Sequence, residues 1–425
     1  MKISIIIPTR ERAAYLGAAI QSALAIVDDN IEVIVSNNAS SDHTEDVVEA
    51  FEDPRLLYIR TEKRISMRQN FQFALDRASG DYILFIGDDD AVLPGQFPAL
   101  RTILETHRPD SLSWPRLTYR WPEDTSTKKF GRVLMTDGNT FGAVRKVGAR
   151  EPKEALLSAS VTWDDSFPAL YHGIVSRACL DRLTLPQSEF FQSHVPDIYF
   201  SYLGLVEEVD HVHADHPFTL SGSSPASTGC STRDQKNDFS EGSPAEMFVS
   251  EAARDPFQDP VVIGSGIPAG VFQVLEAVLA AFPKEAGNVD NVAWYKFVLK
   301  ESASHPEVSR KVIAANLAEH AQRKGLSAEL ERVVSEVDQD TNHAAEETAE
   351  SAENASRGWF EKKINRWKEK SKTLKFFGAE TALNAANMVD EVLTKDYQSV
   401  LAGNKPRSRA WKDAKKRSRA LRAGR

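Results

Sequence analysis

The first ninety residues alternate between short apolar runs and longer segments in which apolar residues recur every three or four positions. Four runs have the length and the Ile, Val and Leu content of buried strands, namely residues 3–7, 31–35, 56–59 and 82–86. The segments between them carry helical stripes, the first through Leu16, Ile20 and Leu24. This alternation predicts an α/β fold with a mainly parallel sheet flanked by helices.

The pattern changes after residue 95, where shorter strand-like pieces precede a helix predicted at 196–205. Composition and periodicity then divide the chain into five parts: a first domain at 1–220, a mobile Ser/Gly/Pro-rich loop at 221–259, a helical extension at 260–337, an acidic linker at 338–356 and a basic amphipathic helical tail at 357–425. The fold class is therefore a sheet domain with a helical C-terminal extension.

Composition excludes several classes of protein. The apolar share of 41% and the charged share of 27% are those of a globular chain. Two cysteines, Cys179 and Cys230, are too few for a disulfide framework or a zinc site of their own. No apolar stretch approaches the ~20 residues of a membrane span, and the first apolar run is shorter than the core of a secretory signal. We expect a cytoplasmic protein.

The net charge of −9 conceals a basic tail on an acidic body: residues 361–425 hold 18 Lys and Arg against 7 Asp and Glu. Trp359, Phe360, Ile364 and Trp367 recur at helical spacing with basic neighbours, which predicts a helix lying on an anionic membrane, here the inner face of the plasma membrane. Packing on the acidic body, or oligomerisation through the same stripe, is the alternative. No nucleic-acid motif accompanies the charge, so we expect no nucleic-acid partner.

Three adjacent carboxylates, Asp88, Asp89 and Asp90, directly follow the fourth predicted strand. Their mutual repulsion makes the cluster unfavourable unless a cation neutralises it. Mn²⁺ and Mg²⁺ prefer oxygen ligands, and Mg²⁺ typically binds through one or two carboxylates together with substrate phosphates. Because ligands of open parallel sheets bind beyond the carboxyl ends of the strands, the triplet predicts a site for Mn²⁺ or Mg²⁺ and a diphosphate.

Polar turns also follow the first two strands, and neither has the Gly-rich pattern of a phosphate-binding loop. Three ordered segments, IIIPTRER, VIVSNNASSDHT and ASGDYILFIGDDDAVLPG, together resemble the motifs of the family 2 glycosyltransferases of GT-A fold. The resemblance covers residues 1–100 and extends more loosely to about residue 220. It implies a nucleotide-diphospho-sugar donor, a divalent metal and inversion at the anomeric carbon.

The same resemblance implies roles for individual residues. Six residues match family positions close to the nucleotide: Pro8, Thr9, Glu11, Asn37, Arg64 and Asn70. Asn37 stands where relatives carry a carboxylate, which leaves the identity of the donor's nucleobase undetermined. Gly87 stands where many relatives carry the first aspartate, so Asp88 and Asp90 are the expected metal ligands and Asp89 is expected to contact the donor.

Inversion requires a base that takes the proton from the acceptor hydroxyl. Relatives place this carboxylate at a helix start in the second half of the domain, and Asp197, after Pro196, has that position here. Helix capping is its alternative role. Asp164, Asp165, Glu189 and His194 are rival candidates.

His211, His213 and His216 form a tight group whose chemistry suits either a metal ligand or the polar end of a strand.

The expected acceptor is a glycan or a lipid-linked glycan in surface polysaccharide synthesis. Two other classes stay open, a sugar-phosphate nucleotidyltransferase and a non-catalytic nucleotide-sugar-binding scaffold. The missing Gly-rich loop counts against the first, and the intact aspartates count against the second.

Overall fold

The computed structural model describes residues 1–122, 131–227, 243–264, 266–350 and 373–423. The strands within them are β1 Ile3–Thr9, β2 Ile31–Asn37, β3 Leu56–Arg60, β4 Tyr82–Phe85, β5 Ala91–Val92, β6 Ser111–Ser113, β7 Leu117–Arg120, β8 Arg132–Thr136, β9 Val144–Val147, β10 Gly173–Ser176, β11 His211–Ala214, β12 Thr219–Ser223 and β13 Thr373–Phe376. They form one sheet of eight strands and one of five among the described residues.

The eight-stranded sheet has the order β3-β2-β1-β4-β10-β6-β11-β9. β1 pairs in parallel with β2 and β4, and β2 pairs in parallel with β3, so the carboxyl ends of the first four strands share one edge. β10 is antiparallel to both β4 and β6. The predicted α/β class and the four predicted strands are confirmed, and the apolar runs of β1, β2 and β4 are buried because helices cover both faces.

The described helices are α1 Ala13–Leu24, α2 Thr44–Glu49, α3 Met67–Leu75, α4 Phe97–His107, α5 Arg150–Leu157, α6 Arg177–Leu183, α7 Pro196–Val206, α8 Pro244–Ala252, α9 Ile267–Ala281, α10 Asn291–Glu301, α11 Glu307–Lys324, α12 Ser327–Glu350, α13 Ala382–Leu393, α14 Asp396–Leu401 and α15 Arg407–Ala423. α1 and α13 share one apolar core, and α3, α7 and α9 share the other. Ile5 and Ile6 of β1 point into these two cores in turn, as strand geometry requires.

The five-stranded sheet has the order β13-β8-β7-β12-β5, so the C-terminal part of the chain supplies one of its edges. β13 pairs antiparallel with β8, and the buried side chains of Leu374, Phe376, Val389 and Trp411 join the core that contains α1. Residues 373–423 are therefore an integral part of the folded body. Burial of this apolar surface against the first domain is the physical reason that they do not project as a separate tail.

Three predicted boundaries differ from the folded elements. β12 crosses residue 220, because its backbone pairs with β5 and β7, and α8 lies within the predicted loop 221–259. α12 continues to Glu350, through most of the predicted linker 338–356. The predicted stripe at Trp359–Trp367 lies outside the described residues.

Candidate active site

Side chains from the turns after β1 and β4 meet at the shared edge of the main sheet. Thr9 Oγ1 donates a hydrogen bond to Asp88 Oδ2 (2.7 Å), and Arg12 Nη1 donates to Asp88 Oδ1 (3.0 Å). Asp88, Asp89 and Asp90 are all buried, with exposed fractions of 2%, 4% and 1%. The first and third sequence motifs therefore lie side by side in the structure.

Arg12 is the counter-ion of this buried acidic cluster. Burial acts to lower the pKa of its guanidinium, but the charges of Asp88 and Asp89 outweigh burial and raise it. Arg12 also donates to the carbonyl oxygen of Ala226. One permanent positive charge thus offsets part of the negative charge of the triplet.

Asp89 is the least satisfied of the three carboxylates. Its Oδ2 accepts a hydrogen bond from Ser224 Oγ (2.7 Å), whereas its Oδ1 has no donor among the described residues. Burial, followed by the charges of Asp90 and Asp88, raises the pKa of Asp89 to about 7. A nearby cation would relieve this cost, because an opposite charge favours the ionised form.

Asp90, in contrast, is fully engaged by the protein. Its Oδ2 accepts from Tyr171 Oη (2.7 Å) and from the backbone N–H of Gly87 (2.5 Å), and it lies 3.0 Å from His172 Nε2. Its Oδ1 accepts from the backbone N–H of Gly222 (2.7 Å). Burial opposes ionisation, but the charge of His172 and these donors hold the pKa of Asp90 below its usual range. Asp90 therefore ties the turn after β4 to β10 and β12.

The donor set at this edge fits a divalent cation only in part. Both oxygens of Asp88 and of Asp90 already accept hydrogen bonds, which leaves Asp89 Oδ1 as the one oxygen of the triplet without a donor among the described residues. In the same ranges, no cluster of three or more His, Cys, Asp or Glu side chains has the arrangement of a metal site. Such a set suits a cation held by one or two carboxylates and completed by donor phosphates, rather than a closed protein cage.

The candidate base Asp197 lies in the first turn of α7. Burial raises its pKa, against the N–H groups of the helix start and the charges of Arg116 and His172. Its own charge contributes to the raised pKa of Tyr171, after burial and the charges of Asp90 and Asp89. Among the described residues no side chain hydrogen-bonds to Asp197, and its carboxylate interacts with the backbone N–H groups of the helix start.

Glu11 and Arg64, two residues implied for the nucleotide side, contact each other. Arg64 Nη2 donates to Glu11 Oε1, which also accepts from the N–H and the hydroxyl of Ser41 (2.9 Å each). Glu11 has a left-handed backbone (φ 52°), which directs the turn after β1 toward the turn after β2. Pro8 is half-buried at the end of β1.

Asn37 and Asn70 use their amides inside the protein. Asn37 has an exposed fraction of 0%; its Nδ2 donates to Tyr58 Oη (2.8 Å), and its Oδ1 accepts from the backbone N–H of Ser40 (2.9 Å). Asn70 Oδ1 accepts from Ser36 Oγ (2.8 Å), and its Nδ2 donates to the Ser36 carbonyl (3.3 Å). In this structure both side chains hold the turn after β2 in place and present no free amide to a ligand.

The rival bases are engaged away from the acidic triplet. Asp164 accepts from the N–H and hydroxyl of Ser166 (2.8 and 2.6 Å), and Asp165 lies 3.6 Å from Arg116. Glu189, with an exposed fraction of 54%, forms an ion pair with Arg68. His194 lies 3.7 and 3.8 Å from two other aspartates, Asp259 and Asp255.

The three histidines after α7 also have partners inside the fold. Ser113 Oγ lies 3.1 Å from His211 Nε2 and 2.8 Å from His213 Nδ1. His216 stacks on Tyr397 with ring centroids 3.7 Å apart. Burial lowers the pKa of His211 to about 4, so its ring is neutral. These contacts favour the strand-end interpretation of the histidine group.

Among the residues at the site, Arg12 and Tyr171 had no role in the sequence-based prediction. Arg12 lies within the first motif, so its charge next to the predicted acidic site was an available signal. Tyr171 is separated from Asp90 by 81 positions, and its local sequence carries no signal.

Residues 4–154 match the model of glycosyl transferase family 2. The family resemblance drawn from the three motifs is confirmed for this part of the chain. The match covers β1 to β4 and the whole acidic triplet.

Two curated relatives have glycosyltransferase names. The GalNAc(5)-diNAcBac-PP-undecaprenol beta-1,3-glucosyltransferase of Campylobacter jejuni is 36% identical over 107 residues, which is 24% of this chain and 34% of the relative. The abequosyltransferase RfbV of Salmonella typhimurium is 32% identical over 111 residues, 25% of this chain and 33% of the relative. The chain thus spans about a third of the length of these relatives.

The crystal structure of S. aureus TarS 1-349 in complex with UDP-GlcNAc also aligns with the chain. The alignment covers 80% of this chain and 92% of that one, at 15% identity and a TM-score of 0.45. A likeness at this level adds nothing to the fold assignment, which follows from the strand order and the family match.

Proposed function

We propose that this protein is a metal-dependent inverting glycosyltransferase that moves a sugar from a nucleotide-diphospho-sugar to an acceptor hydroxyl. The observation that carries the proposal is the juxtaposition of a buried acidic triplet with a carboxylate that has no side-chain partner. Asp89 has an oxygen without a donor among the described residues, and the charge of Asp197 acts on Tyr171, whose hydroxyl donates to Asp90. The family match over residues 4–154 supports the same reaction class.

In this proposal Asp89 is the principal ligand of Mn²⁺ or Mg²⁺, and Asp88 contributes by holding Arg12 beside it. This moves the metal role away from Asp90, whose oxygens accept three hydrogen bonds from the protein and one of which lies 3.0 Å from His172 Nε2. A bound divalent cation would stabilise the charge that develops on the leaving diphosphate. Arg12 lies where it can supply further positive charge, since it already contacts Asp88.

Asp197 is the proposed general base. Its carboxylate takes the proton from the acceptor hydroxyl as that oxygen attacks the anomeric carbon, and the bond from that carbon to the diphosphate oxygen breaks on the opposite face. Burial raises the pKa of Asp197, and a higher pKa makes a carboxylate a stronger base. Arg116 and His172 limit that rise.

Replacement of Asp197 tests the proposal. Asp197→Asn is expected to lower the transfer rate by ~10²-fold or more, the usual range for a lost general base, with donor affinity nearly unchanged. The exposed rival Glu189→Gln is the matched control and should retain activity. Loss of donor affinity as large as the loss of rate would make Asp197 structural, and loss of activity in the control alone would transfer the role to Glu189.

The proposed acceptor is a glycan or a lipid-linked glycan, and the name of the Campylobacter jejuni relative contains an undecaprenol-linked acceptor. Among the described helices, none is long and apolar enough to cross a bilayer. Peripheral contact with an anionic membrane would instead use α15. Lys412, Lys416 and Arg419 lie on its exposed face at spacings of four and three, without an ion-pair partner in the described ranges.

A further inference from the structure

Three arginines converge at the carboxyl end of β1. Arg12 contacts Asp88, and Arg64 contacts Glu11. Arg10 is paired with Glu251, which comes from α8 and is 241 positions away in sequence. Each guanidinium is thus held by a different carboxylate, and α8 supplies the one that comes from outside the parallel half of the sheet.

The arginines repel one another, and this cost needs a compensating anion. Burial, followed by the charges of Arg12 and Arg64, acts to lower the pKa of Arg10, and Glu251 offsets only part of the effect. Because an unpaired buried cation is costly, an anion is required at this point whether or not a ligand is bound.

Glu251 supplies that anion at a cost of its own. Its side chain has an exposed fraction of 9%, and burial raises its pKa against the charges of Arg10, Arg64 and Arg254. Buried ion pairs often contribute little net stability, so stability alone does not account for this contact. A carboxylate surrounded by guanidinium groups has the chemistry of a bound anionic ligand.

We propose that Arg10 and Arg64 form an anion-binding part of the donor site, and that Glu251 occupies it as an internal competitor until the donor diphosphate displaces it. This inference rests on the proposed function. The position supports a diphosphate, because Arg12 connects the arginine group directly to Asp88 beside Asp89. A phosphate carries more charge than a carboxylate and accepts paired hydrogen bonds from guanidinium groups, so it can replace Glu251.

The competitor is tested by direct binding with the full-length chain. Isothermal titration with UDP and with inorganic pyrophosphate, in chelator and at low salt, is compared for wild type, Glu251→Gln and Arg10→Gln. Removal of a competitor that fills most of the sites should tighten binding by ~5–10-fold, because apparent affinity scales with the fraction of competent sites. Arg10→Gln should weaken binding of both probes.

Glu45→Gln is the matched control, since it removes the same charge from the same edge of the sheet and Glu45 pairs with Arg60 (2.9 Å) rather than with Arg10. Its affinity should equal that of wild type. Glu251→Ala replaces the glutamine variant if the latter does not fold.

Two results overturn the inference: unchanged or weaker binding in the Glu251 variants, or equal tightening in the Glu45 control. Absence of pyrophosphate binding in every variant also overturns it. Donor turnover by wild type, measured separately with a panel of nucleotide sugars, tests the proposed function. If wild type turns over a donor but the Glu251 variants do not bind the probes more tightly, the competitor role of Glu251 is wrong and the proposed function is retained.

Discussion

Asp390 of α13 connects the C-terminal part of the chain to the turn that follows the acidic triplet. Its Oδ2 accepts from the backbone N–H of Gly95, and its Oδ1 accepts from Gln96 Nε2, both at 2.8 Å. Burial, only partly offset by these two donors, raises the pKa of Asp390 to about 6. We expect this carboxylate to make the stability of the protein depend on pH.

The sign and size of the effect follow from the pKa. Because the folded-state pKa is higher than the unfolded value, the folded chain binds this proton more tightly, and stability falls as pH rises from about 4 to about 6. A folded-state pKa about 2 above the unfolded value corresponds to ~3 kcal/mol of folding stability that is present at low pH and lost at high pH. Between pH 5 and pH 7.5, the linkage relation gives a loss of roughly 1–1.5 kcal/mol in the free energy of unfolding.

Asp390→Asn removes this titration, since an amide remains neutral. We expect its free energy of unfolding, relative to wild type, to increase by roughly 1–1.5 kcal/mol between pH 5 and pH 7.5, measured by denaturant unfolding at both pH values. A constant penalty from the altered hydrogen bonds shifts both measurements equally and cancels.

Asp413→Asn is the control for Asp390→Asn, because the pKa of Asp413 is lowered by its hydrogen bond with Lys405. It should show no such gain. Parallel pH profiles for wild type and Asp390→Asn would refute the reasoning, as would the same gain in the control.

Three further predictions concern the site and the C-terminal part of the chain. Asp89→Ala should abolish the effect of Mn²⁺ on nucleotide affinity, measured by calorimetry, whereas Asp90→Ala should mainly lower the melting temperature. If the affinity of Asp89→Ala still depends on Mn²⁺, Asp89 is not a metal ligand. Deletion of residues 373–425 removes β13 and its packing, so cooperative thermal unfolding should be lost; a stable truncated chain would contradict this. Charge reversal at Lys412, Lys416 and Arg419 should abolish sedimentation with phosphatidylglycerol vesicles at low salt, because each basic group contributes ~1 kcal/mol to attraction to an anionic surface. Equal sedimentation of wild type and variant would argue against this surface.

Local sequence was sufficient for the parallel half of the fold and for the position of the acidic triplet. Runs of Ile and Val are buried wherever helices cover both faces of a sheet, so strand and helix periods report directly on β1 to β4. Three carboxylates after such a strand have few structural explanations, which is why the sequence alone marks the triplet as a candidate site.

Local sequence could not rank the three carboxylates. Asp90 is distinguished from Asp89 by Tyr171 and His172, which directly precede β10, and by Gly222 of β12. Likewise, nothing near Asn37 indicates that its amide would be used by Tyr58 and Ser40. Hydrogen-bond partners across long sequence separations depend on the tertiary arrangement, and they decide which oxygens remain available to a ligand.

The C-terminal part of the chain shows the same division. Composition predicted a basic, amphipathic helical tail, whereas the described residues hold the strand β13, two helices without Lys or Arg and one basic helix, α15. An apolar stripe looks the same whether it faces a membrane, a partner or the chain's own body. Only the tertiary structure shows that residues 373–423 cover the core beside α1 and complete the second sheet. Sequence alone thus determined the parallel strands of the first domain and the chemical groups that follow them. The fold determined which surfaces those elements cover and which groups meet, because burial and pairing are properties of the whole chain.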